Sequence, residues 1–115
     1  MGDTEYMLDP ALLNSIVLGA AETAAGGLGY TIQAPALDLL LRESLHALNE
    51  ANEKGMFEAI RGQIEQNTAQ LIQFIVREQI GVHQPTRVIT FHHMTQGLSA
   101  FCRRFPYFIP FCTKG

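Results

Sequence analysis

Residues 56–80, MFEAIRGQIEQNTAQLIQFIVREQI, decide how this chain is read. Phe57, Ile60, Ile64, Thr68, Leu71 and Ile75 recur every three or four positions, the period of an amphipathic helix, and Ile72 and Val76 widen the stripe. Met56 to Ile80 therefore predicts a helix of roughly 37 Å, stopped by Gly81. The opposite side is uncharged except for Arg77. Advancing about 100° per residue collects Ala59, Gly62, Gln63, Gln66, Ala69, Gln70 and Gln73 there, where a face that meets only water usually carries Glu and Lys.

Upstream, the sequence predicts two further helices. Asp9 as N-cap and Pro10 at the first helical position open one that runs to about Ala25. Leu13, Ile16, Val17, Ala20 and Ala24 form one side of it. Leu12, Leu18, Gly19 and Ala21 lie on the other, with Glu22 the only charge, so this helix is expected to be central or covered. Gly26-Gly27-Leu28-Gly29 ends it, and Tyr30 to Ala34 connects it to a second helix from Pro35 to Lys54, stopped by Gly55. Leu37, Leu40, Leu41, Ser44, Leu48 and Ala51 form the inner face of this second helix, and Asp38, Arg42, His46, Asn49 and Glu53 the solvated one.

Downstream, Thr86 is expected to cap a fourth helix ending near Arg104. Val88, Phe91, Met94, Leu98, Phe101, Cys102 and Phe105 share an arc, although the run Val88-Ile89-Thr90-Phe91 is also compatible with a strand. Pro106-Tyr107-Phe108-Ile109-Pro110-Phe111 cannot continue a helix and is too aromatic to stand free in water, so it should pack on the bundle or on a partner. The expected fold is all-α: one domain over residues 1–115, a small antiparallel bundle of about four helices with a non-helical aromatic tail.

Composition narrows the function. The 115 residues are 47% hydrophobic, enough for a core without staples, and 17% charged, against about 25% in ordinary soluble domains. A charge-poor surface is usually covered by protein or lipid. With 8 basic residues, and only Arg103 and Arg104 adjacent, the chain lacks the positive field that nucleic acid requires. Cys102 and Cys112 form neither a CxxC pair nor a disulfide scaffold and read as reduced thiols. The acidic start, Met1-Gly2-Asp3-Thr4-Glu5, does not resemble a secretory signal, and Tyr6 stands where N-myristoylation wants Ser or Thr, so the expected location is cytoplasmic.

Motifs for chemistry are weak. Glu43-Ser44-Leu45-His46 has the Glu-x-x-His spacing of di-iron bundles, but in one copy and on the polar side of its helix. His92 and His93 point about 100° apart on a helix and cannot share an ion. Cys102 lies on an apolar arc, where a thiol is protonated and inert. Gly26-Gly27-Leu28-Gly29 lacks the order and preceding strand of a phosphate loop. No metal, cofactor or catalytic residue is assigned.

Residues 10–32 suggest a membrane segment, but Glu22 near mid-span would cost roughly 2.5 kcal/mol or more. The leading expectation is a non-enzymatic helical interaction protein, an assembly subunit, adaptor or small regulator working as a homo-oligomer or in a larger complex. Its contact is expected to involve Gln63, Gln66, Gln70 and Gln73, with Arg77 at the rim, together with Tyr107, Phe108 and Phe111 of the tail. Two alternatives are carried: a metal- or ligand-binding bundle enzyme drawing on Glu22, Glu43, His46 or His92, and a small membrane-associated protein.

Overall fold

The computed structural model describes residues 10–81, 87–106, 108 and 110–112. Asp9 and Thr86, expected as helix caps, and Tyr107 lie outside these residues. The fold is all-α. The described elements are helices α1 (Pro10–Gly27), α2 (Ala34–Glu53), α3 (Phe57–Phe74) and α4 (Phe91–Arg104), a π-helical extension of α3 (Ile75–Ile80), and the short strands β1 (Thr31–Ile32) and β2 (Val88–Ile89).

Helices α1 and α2 end in the same way. Tyr30 N–H donates to Ala25 C=O at 2.8 Å and Gly29 N–H to Gly26 C=O at 3.0 Å. After α2, Met56 N–H donates to Ala51 C=O at 2.8 Å and Gly55 N–H to Asn52 C=O at 3.0 Å. Both are Schellman motifs, and each needs a left-handed residue, met by Gly29 at φ 79° and Gly55 at φ 70°.

The third helix is not uniform. Its inner stripe is as expected, with Phe57, Ile64, Thr68, Leu71, Ile72, Ile75 and Val76 buried and Ile60 packed beside them. Thr68 lies in this stripe because its hydroxyl donates to Ile64 C=O at 2.8 Å, which satisfies the buried oxygen. Beyond Phe74 the winding widens. In an α-helix Ile75 and Ile80, five apart, would point about 140° from each other. The wider turn lets both be buried, and Gly81 N–H closes it on Val76 C=O at 3.1 Å.

The predicted start of the fourth helix is corrected. Val88 and Ile89 form a strand, parallel to β1, with Thr31 opposite Val88 and Ile32 opposite Ile89. Thr31 N–H donates to Arg87 C=O at 3.1 Å and Gln33 N–H to Ile89 C=O at 3.0 Å. β-Branching suits the extended backbone, and Ile89 is completely buried. Helix α4 then starts at Phe91 under a capping box: Thr90 Oγ1 accepts from His93 N–H, and His93 Nδ1 accepts from Thr90 N–H, both at 3.2 Å.

Helix α1 packs along α3, and α2 along α4. One hydrophobic cluster draws on all four helices, including Val17, Leu40, Leu48, Ile64, Leu71, Met94 and Phe101. Helix α4 meets the π-helical extension so closely that a Cβ at Gly97 would lie 2.9 Å from Ile75 Cδ1.

The cysteines are also corrected. Cys102 and Cys112 form a disulfide across a Cα–Cα distance of 5.2 Å. Tail turns bring Cys112 back to α4, with Phe108 N–H donating to Phe105 C=O at 3.1 Å and Cys112 N–H to Phe108 C=O at 2.9 Å. The ring of Phe101, just before this loop, packs with those of Phe105 and Phe108 inside it, centroids 5.0 to 5.2 Å apart, and Phe74 joins Phe101 edge-on at 5.4 Å.

Candidate functional site

Two concavities stand out, one on each side of the bundle. The first is an open groove of about 690 Å³ between α1 and α3. Ser15, Gly19 and Thr23, spaced four apart, put small side chains along its α1 wall, and Gly62, Gln66, Ala69 and Gln73 form much of the α3 wall. Its charged lining residues, Arg61 and Glu65, face each other at 3.9 Å one helical turn apart.

Of the two expectations for helix α1, central or covered, the chain itself does not make it central. It buries Ile16, Val17, Ala21 and Ala25 and exposes Ala11, Leu12, Ser15, Gly19, Glu22, Thr23, Gly26 and Gly27. Ala21 and Ala25 are small enough for α1 to lie close on α3 with a narrow inner stripe. Its remaining side is uncharged apart from Glu22, and no described part of the chain covers it.

The expected contact residues separate. Gln66 and Gln73 line the α1–α3 groove. Gln70, Gln73 and Arg77 line a smaller hollow of about 240 Å³ with Phe74, Phe101 and Phe105. Gln63 is exposed and lines neither. Phe108 is half-buried in the aromatic cluster. Phe111, at 4% exposure, belongs to the chain's own core, where the disulfide holds the tail inward.

The second concavity, about 390 Å³, lies between α2, α4 and the disulfide-closed tail. Leu39, Leu98, Pro106, Phe111 and both cysteines line it, and Glu43, Thr95 and Ser99 are its polar members. Its size is that of a small-molecule site, and its lining is of the usual kind, mainly apolar with a few polar groups.

The weak motifs resolve into structural roles. Glu43 borders this cavity while His46 is exposed, so the Glu-x-x-His pair does not converge on one point. His93 serves the helix cap and His92 is exposed. Cys102 carries no thiol. Among the described residues no group of three or more His, Cys, Asp or Glu could hold a metal ion, and no helix is long and apolar enough to cross a membrane. Neither the cavity nor the capping box was legible in the sequence as a site. The S/T-x-x-E/Q rule looks for Glu or Gln where His93 stands.

Compared with protein-family models, curated proteins and solved structures, the chain matches none.

Proposed function

We propose that this chain is a non-enzymatic helical assembly protein that pairs with a second copy of itself through the α1–α3 groove. The observation that carries the reading is the uncovered side of α1, which exposes Leu12, Ser15, Gly19 and Thr23 with Glu22 as its only charge. Small residues four apart let a second helix approach closely, and glutamines on the facing wall provide hydrogen bonds without the desolvation cost of a charge. Arg61 and Glu65 already face each other, so a partner does not bury an unpaired ion. A stable contact buries about 800 Å² per partner, so the pairing is expected to extend beyond the groove onto the flanking faces of α1 and α3.

The oligomeric state tests this. Light scattering on the eluted protein should give twice the 12.7 kDa of one chain. Gly19→Glu with Gln66→Glu should return it to one chain, through like charges across a symmetric contact. No side chain lies within 4 Å of where a Cβ at Gly19 would be, so the monomer tolerates the change. A wild-type monomer at micromolar concentration, or a double variant that keeps the doubled mass, overturns the reading.

For the compartment, the bonded cysteines favour an oxidising one over the cytoplasm suggested by the acidic start. Acid-quenched cells treated with a thiol-reactive polyethylene glycol should show no mass shift unless reductant is added first. A shift without reductant returns the assignment to the cytoplasm.

A further inference from the structure

We infer that the cavity between α2, α4 and the tail binds a small uncharged apolar molecule by the area it buries, and holds it only while the disulfide is closed. The inference does not depend on the assembly reading, since the cavity shares no lining residue with the α1–α3 groove.

Polarity in this cavity changes with depth. Leu39, Leu98, Phe111 and Cys112 are all buried, so the side chains of the inner wall present carbon and sulfur alone. Thr95, Ser99 and Pro106 are exposed and stand at the mouth. The polar groups are engaged within the chain or open to water. Thr95 Oγ1 donates to Phe91 C=O at 2.9 Å. Ser99 Oγ accepts from Arg103 at 3.1 Å and keeps its own hydrogen for water at the mouth. Half-buried Glu43 already has a partner in the chain. Selection is therefore left to the inner wall. It favours apolar area removed from water and penalises an ionised group that would lose its hydration there.

Volume sets the size of the occupant. An apolar cavity of about 150 Å³ takes up benzene, so one of about 390 Å³ has room for roughly two to three rings or an aliphatic chain of similar bulk.

The tail makes the site conditional on the disulfide. Phe111 and Cys112 reach the cavity from the tail, and the bond to Cys102 ties that wall covalently to α4. Reduction frees the wall to move off α4, and with it the buried surface against which the molecule packs.

The test uses the oxidised full chain and the neutral fluorophore N-phenyl-1-naphthylamine, whose emission rises in apolar surroundings. Saturable binding of one molecule per chain is expected. Displacement by n-hexanol, n-heptanol and n-octanol should tighten by roughly fourfold per methylene, as burial of each CH₂ predicts. Thr95→Trp and Ser99→Trp, at exposed positions on the mouth, should each weaken the fluorophore by about tenfold or more by filling the entrance. Gly19→Glu with Gln66→Glu, in the other groove, should leave it unchanged. Cys102→Ser with Cys112→Ser should weaken it by about tenfold while circular dichroism shows the helices retained. The inference is overturned if the oxidised protein binds no fluorophore saturably, if displacement is independent of chain length, if the folded tryptophan variants bind unchanged, or if the folded double-serine variant does. Should one tryptophan variant fail to fold, the other and the alcohol series still decide.

Discussion

Two glycines, both inside helices, have opposite roles because of what lies beside them. Gly19 faces open space on α1, and Gly97 faces Ile75 where α4 crosses the π-helical extension. In each case alanine gains about 0.8–1.0 kcal/mol of helix propensity. At Gly19 nothing opposes that gain, so Gly19→Ala should raise the stability of the monomer by about 0.5–1 kcal/mol in urea unfolding. At Gly97 the added methyl overlaps Cγ1 and Cδ1 of Ile75, and Cγ1, one bond from Cβ, is not the far end of a flexible chain that could swing aside. Overpacking typically costs about 1–3 kcal/mol and outweighs propensity, so Gly97→Ala should destabilise. Equal shifts for the two variants would contradict this account of the crossing. Thr90 is a third residue with a local task. Thr90→Ala removes half of the capping box and should cost about 1 kcal/mol, read from the same unfolding curves.

Among the elements, the tail and the paired strands are the ones that sequence periodicity could not organise. The disulfide closes a loop of sequence separation 10. By chain entropy alone such a cross-link is worth about 2.5–3 kcal/mol. Cys102→Ser with Cys112→Ser should lower unfolding free energy by about that amount while retaining most helical circular dichroism, because α1 to α3 do not contain the bond. A loss of helix across the whole spectrum would instead show that the tail is needed to assemble the bundle. The β1–β2 pair is only two residues on each strand, but it ties the α1–α2 connector to the entry of α4. The amides of Thr31 and Gln33, which donate across it, should therefore exchange hydrogen more slowly than that of exposed Ala34.

At the scale of the molecule, a single hydrophobic cluster receives side chains from every helix. Loss of one large central residue should then be felt throughout. Leu71→Ala, at a completely buried position, should cost about 2–5 kcal/mol and lower the midpoints of helical and tertiary signals together. Non-coincident transitions would mean that the helices do not unfold as one unit. The same architecture separates the two candidate sites. The α1–α3 groove belongs to the first helix pair, and the second cavity to α2, α4 and the tail. A variant in one should leave the readout of the other unchanged.

By itself the sequence determined the helices, because periodicity and glycine stops are local properties. The stripe from Phe57 to Val76 and the turns at Gly29 and Gly55 follow from spacing and from the left-handed backbone that glycine permits. Only tertiary structure decided what depends on distant partners. Val88 and Ile89 suit helix or strand until Thr31 and Ile32 supply the opposing backbone. Cys102 and Cys112 are two thiols until the tail turns bring them together. The long third helix stays α-helical to Phe74, and its last turn widens where buried Ile75 and Ile80 must both face a core that α4 helps to form. The candidate sites are of this second kind. A groove or a cavity is the space left between elements, and that space is set by how the helices pack, which no single helix encodes.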